Sequence, residues 1–187
     1  MRTIHGVSVA ALLGTVAITA CGGGNATQHG LDLALASSRA TYASGTPVVL
    51  TVSLTNGGAQ VIRVSHLLES NIRIVSLTKD GAAVIQNELD MDTDVDLRVL
   101  AADRLVDLAP GASTNLTWTA SDEGPQGQLA LFWGTVAADG TLQGRFAPVV
   151  EPGHYTLSAV YLYAGAADSS VFTDSSTVGQ VSFDITP

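Results

Sequence analysis

Val48, Leu50, Val52 and Leu54 alternate with Val49, Thr51, Ser53 and Thr55. Side chains on a strand point to opposite faces with period two, so this stretch predicts a strand with one face buried. Gly45-Thr46-Pro47 precedes it and Asn56-Gly57-Gly58 follows. Asn-Gly tolerates positive φ and favours tight hairpin turns, so the strand is expected to pair with Gln60 to Ser65, where Ile62 and Val64 share a face. Leu31, Leu33 and Leu35 predict an earlier strand. Asn71 to Leu77 and Ala82 to Gln86 flank Lys79-Asp80-Gly81, a second hairpin signal. Further strands are expected over 112–119, 129–135, 153–163 and 180–186, the last with Val181, Phe183 and Ile185 inward. No window carries an apolar stripe of helical period over three turns.

Seven to nine short amphipathic strands, separated by turn signals, predict an all-β fold: an antiparallel β-sandwich with long loops, each sheet wetted on one side. A simple sandwich needs about 100 residues. The surplus falls in 87–104 and 120–152, which are expected to be long loops or added edge hairpins. "PVVLTVSLTNGG" from Pro47, then Leu108-Ala109-Pro110-Gly111, then "PGHYTLSAVYLY" from Pro152, resembles the immunoglobulin-like modules of secreted bacterial proteins. The same order is similar to the non-catalytic β-domain beside some deuterolysin-like metalloendopeptidases. The resemblance spans about residues 31–187. It implies a corner role for Tyr155, whose hydroxyl would bond a nearby backbone group.

Residues 1–20 have a different pattern. A basic start at Arg2 leads into an apolar core from Val7 to Ala20. That core is shorter than the roughly 20 apolar residues of a membrane-spanning helix and has the layout of a secretory signal. Ile18-Thr19-Ala20-Cys21 resembles the lipobox of bacterial lipoproteins and contains the sequence's one cysteine. The resemblance implies a diacylglycerol thioether on Cys21, so that the protein meets the membrane through an N-terminal lipid. Residues 21–30, with Gly22-Gly23-Gly24, read as the lipidated cysteine and a flexible tether, and 31–187 as the folded domain. The expected location is the bacterial cell envelope. Gly22 stands where an aspartate would favour inner-membrane retention, so the outer membrane is expected in a Gram-negative organism. Once Cys21 is used, no cysteine remains for a disulfide or a thiol nucleophile.

Charge narrows the partners. Of eight Lys and Arg, Arg2 leaves with the signal, so seven face seventeen acids and the remaining chain carries about −10. Nucleic acids and anionic lipids need basic neutralising surfaces, so neither is an expected partner; an envelope protein is.

Candidate chemistry is sparse. His5 belongs to the signal and His29 to the tether, leaving His66 and His154. His-Glu-x-x-His and Gly-x-Ser-x-Gly do not occur, so no enzyme is expected and no catalytic residue is assigned. His66 is expected at a strand end facing water, and His154 at a strand edge beside Tyr155. Asp90, Asp92, Asp94 and Asp96 fall at every second position. On a strand they would share a face, about 6.5–7 Å apart. A hard cation such as Ca²⁺ would relieve their repulsion, giving a weak site. Val95 and Ala101 stand where an EF-hand needs its glycine and its bidentate glutamate, and a solvated acidic loop is the other reading. Trp118 and Phe132 are expected in the core; Trp133 has the opposite strand parity.

The functional expectation is a non-enzymatic envelope lipoprotein that presents an immunoglobulin-like binding module. The alternatives are an accessory or inhibitor-like module acting on an envelope protease, and a weakly calcium-binding adhesion module.

Overall fold

The computed structural model describes residues 30–90, 104–122, 124–136, 142–163, 171–172 and 177–187. Cys21, the tether up to His29, and Asp92, Asp94 and Asp96 lie outside the described residues. Thirteen strands are described: β1 (Leu31–Ser37), β2 (Thr41–Ala43), β3 (Val49–Asn56), β4 (Ile62–Ser65), β5 (Ile72–Lys79), β6 (Ala82–Ala83), β7 (Asn87–Asp90), β8 (Leu105–Leu108), β9 (Ser113–Thr119), β10 (Ala130–Val136), β11 (Leu142–Pro148), β12 (Gly153–Tyr161) and β13 (Gly179–Thr186). Only two short 3-10 turns, Glu69–Asn71 and Pro125–Gly127, are helical among the described residues.

The sheets are β1-β3-β9, β2-β13-β12-β5-β6, β10-β11-β7 and the pair β4-β8. The first two form the sandwich. Neighbours in each sheet are largely non-consecutive in the chain: β1, β3 and β9 lie in one layer, and β5, β12 and β13 in the other. Pairing is antiparallel except where β2 runs parallel to β13. The strand count exceeds seven to nine because β2 and β6 hold three and two residues, and β7, β10 and β11 form an added sheet; the other eight build the expected framework. The 120–152 surplus is thus largely an added hairpin, with β7 on its edge.

Alternation makes the core. Leu31, Leu33 and Leu35 of β1 and Leu50, Val52 and Leu54 of β3 face Tyr155, Leu157, Ala159 and Tyr161 of β12 and Val181, Phe183 and Ile185 of β13 in one buried cluster. Tyr155 stacks on Phe183 with ring centroids 5.3 Å apart, and Tyr42 meets the same ring edge-on. In β5 the alternation breaks: Val75 and Ser76 are both exposed. Register against β12 shifts there, with Ser158 opposite Ser76 but Ala159 opposite Ile74. Val75 is the extra residue of a bulge, which explains an exposed valine in the middle of the strand.

Two turn signals had different outcomes. Asp80 and Gly81 both take positive φ, 51° and 81°, and close the β5–β6 hairpin as a two-residue turn does. The expected hairpin across Asn56-Gly57-Gly58 is corrected: β3 pairs with β1 and β9, and β4 pairs with β8. Neither Asn56 nor Gly57 has positive φ. The Asn56 side chain is wholly buried and serves as a clamp, donating from Nδ2 to Gln60 O at 2.7 Å and Leu108 O at 2.9 Å.

The aromatic assignment for β10 is also corrected. Trp118 is in the core, but its companion there is Trp133, 3 % exposed, with Leu131 on the same parity. Phe132 is half-buried on the opposite face, against Phe146 at 5.8 Å. Both faces of this hairpin are covered, and an apolar run covered on both faces carries no parity signal.

A buried polar group ties β4 to β12. Ser65 N–H donates to Tyr161 Oη at 3.0 Å, and Asn71 Nδ2 donates to Ser65 Oγ at 2.9 Å. Burial pushes the Tyr161 phenol up to about 12. The native state therefore favours the neutral phenol, while the unfolded chain ionises near its ordinary value of 10.0. The Tyr161 contribution is complete below pH ~10 and is lost as pH rises from there through ~12, a fall of roughly 3 kcal/mol. Urea titrations across that range on the wild type and Tyr161→Phe should show the steeper alkaline loss only in the wild type.

Candidate functional site

The β5–β6 hairpin carries one of the two outer strands of the five-stranded sheet; β6 pairs with β5 on one side, and no described strand pairs with its other side. The chain beyond it, Val84-Ile85-Gln86, is uncharged. Ile85 is 76 % exposed, the most exposed large apolar side chain among the described residues. Facing it is the segment after β11, where Val149 N–H donates to Leu129 O at 3.0 Å and holds Val150 and Glu151 in place. Between them lies a cleft of about 340 Å³ lined by Ala82, Ala83, Ile85, Pro148, Val150 and Tyr155. A second, wider concavity of about 570 Å³, with Ser44, Pro47 and Asp122 in its wall, shares Gln128 and Val150 with the first.

The cleft has one charged rim. The Lys79 ammonium bonds the Glu151 carboxylate, and that bond raises the lysine above its ordinary value. Tyr155 Oη donates to Glu151 O at 2.9 Å, a hydroxyl returning to backbone four residues upstream, as at a tyrosine corner. Burial raises the Tyr155 phenol. Tyr155 thus fixes the same segment 148–151 that walls the cleft.

His154 sits next to Tyr155 but on the outer face of β12. Its backbone N–H donates to Asp80 Oδ1 at 2.8 Å, and Nδ1 lies 2.7 Å from Asp184 Oδ1 on β13. The pair is half in water, with side chains 57 % and 50 % exposed, and lines neither concavity. His66 follows β4, is exposed, and places Nδ1 3.1 Å from Thr114 Oγ1. The fold does not bring the two histidines to one site with carboxylates in a cleft. Of the acidic run, Asp90 ends β7, its register partner being Gln143. Among the described residues no group of three or more His, Cys, Asp or Glu is arranged to hold a metal ion.

Sequence reasoning passed over the cleft. Its signal is the run Ala82 to Gln86, which lacks the charge that usually guards a sheet edge, but the opposite wall comes from Pro148 and Val150, far along the chain.

No protein-family model matches the sequence, and no curated protein matches it. Among solved structures the chain is similar to a β-glucosidase from Erythrobacter marinus, at 16 % identity and a TM-score of 0.33. That match covers 83 % of this chain and 15 % of the other. A likeness of this level carries no argument about activity.

Proposed function

We propose that the protein is a non-enzymatic lipoprotein of a bacterial envelope, whose immunoglobulin-like domain binds an extended segment of an envelope protein along β6 and the adjoining cleft. The observation that carries this reading is the uncharged, unpaired edge at Ala82–Ala83, with Ile85 standing exposed beside an apolar cleft. Protein edges are normally blunted by charge, proline, a covering loop or by being very short; β6 is short, two residues, but carries neither charge nor proline. An edge left open beside side-chain pockets is what strand addition requires: main-chain bonds give affinity and the pockets give selectivity. The acidic balance of the chain keeps the domain away from anionic lipid and leaves the cleft available.

Ile85→Arg tests the reading. Seating an isoleucine contributes about 1.5–3 kcal/mol, so its loss should weaken capture of an envelope protein by roughly tenfold or more. Full-length protein in detergent, immobilised and exposed to envelope extract, supplies the measurement. Thr117→Arg, on the exposed outer face of β9, is the matched control and should capture as the wild type does. Equal capture by the Ile85 variant would remove the cleft from the account.

A further inference from the structure

Asn56-Gly57 is the one Asn-Gly pair in the sequence. In an open chain this dipeptide is the most prone to deamidation, because glycine places no side chain in the way of its own nitrogen. The reaction needs two freedoms: the Asn56 side chain must swing its Cγ over the following nitrogen, and Gly57 N must be free to lose its proton.

The native fold denies both. Asn56 Nδ2 donates to Gln60 O at 2.7 Å and to Leu108 O at 2.9 Å, while Oδ1 accepts from Gly58 N–H at 2.9 Å. Every polar atom of the side chain is committed, and none of the residue is exposed. Gly57 N–H donates to Gly30 O at 2.5 Å, just ahead of β1, whose first residue, Leu31, lies opposite Asn56.

We propose that Asn56-Gly57 is a deamidation site held shut by the start of β1, so that opening of this junction is converted into permanent loss of the fold. When Gly30 and Leu31 peel away and the Asn56 amide leaves the carbonyls of Gln60 and Leu108, Gly57 N is released, loses its proton and attacks Asn56 Cγ. The N–Cγ bond forms, the Cγ–Nδ2 bond breaks, and ammonia leaves with a succinimide behind. Water then opens either ring carbonyl, giving isoaspartate or aspartate, a net exchange of NH for O. Neither product fits. An aspartate would turn carboxylate oxygens towards the carbonyls of Gln60 and Leu108, acceptor against acceptor without water. An isoaspartate adds a backbone methylene where Asn56 N–H meets Ala112 O and Asn56 O meets Gly111 N–H.

The test follows one chain in two states. Full-length protein is held at mildly alkaline pH, native or in urea, and the peptide containing residues 56–57 is followed by mass spectrometry with isoaspartyl labelling. The urea sample should convert while the native sample lags by at least about tenfold, the protection that local closure confers. After urea is removed, unmodified chains should regain the native melt and modified chains should not. Asn56→Asp, made directly, should likewise lack the native melting transition. Equal conversion rates in the two states, or a modified chain or Asn56→Asp variant melting as the wild type does, would overturn the proposal.

Discussion

Replacing Trp118 by alanine is expected to cost about 3–5 kcal/mol, the range for deleting a large buried aromatic side chain. Trp118 is 1 % exposed and belongs to the main core cluster. Its loss removes more than buried area. Indole Nε1–H donates to Phe132 O at 2.8 Å, from sandwich strand β9 to strand β10 of the added sheet. Without it the carbonyl loses a partner in a half-buried setting and the hairpin loses a fixed point. The hairpin carries Pro148 and leads into Val150, so the cleft should loosen with the core. A urea titration should show a lower midpoint with an unchanged slope. Trp118→Phe keeps most of the volume and removes the bond, and should fall between the two. A loss under about 1 kcal/mol for the alanine variant would mean that Trp118 does not join the sheets as described.

Replacing Cys21 by serine is expected to release the protein from the membrane. The reading rests on Ile18-Thr19-Ala20-Cys21, after an apolar stretch too short to span and before three glycines. Each buried methylene of an acyl chain contributes about 0.8 kcal/mol, and two chains together give a stable anchor where one is marginal. Serine cannot form the thioether, so the variant should lose the acyl mass and leave the detergent phase. Intact-mass measurement and phase partitioning of both proteins read this directly. A Cys21→Ser protein that partitions as the wild type does would refute the lipid anchor, while leaving the sandwich untouched.

How much of this was legible depends on how local the determinant is. The β3 alternation, Val48 to Thr55, reads directly because each side chain's face follows from its own position. Asp80-Gly81 reads directly because two positive φ angles in succession leave few residue choices. Asn56-Gly57 carries the same letters to a different end. Its asparagine is consumed by carbonyls on Gln60 and Leu108, the second of them 52 positions away, and no local rule sees that. Phe132 and Trp133 fail for a related reason: Phe132 is half-buried beside its cross-strand neighbour Phe146 while Trp133 enters the core, so hydrophobicity does not mark which face is inside. The cleft was the least legible feature, since Ile85 is conspicuous only once 148–151 is seen across from it.

The binding reading is tested most directly by where a partner touches the domain. A photo-reactive residue placed at position 85 of the full-length protein, activated in the intact envelope, should become joined to an extended segment of one protein. The same residue at position 117 should not. Adducts at 117 but none at 85, or equal labelling at the two, would contradict the account.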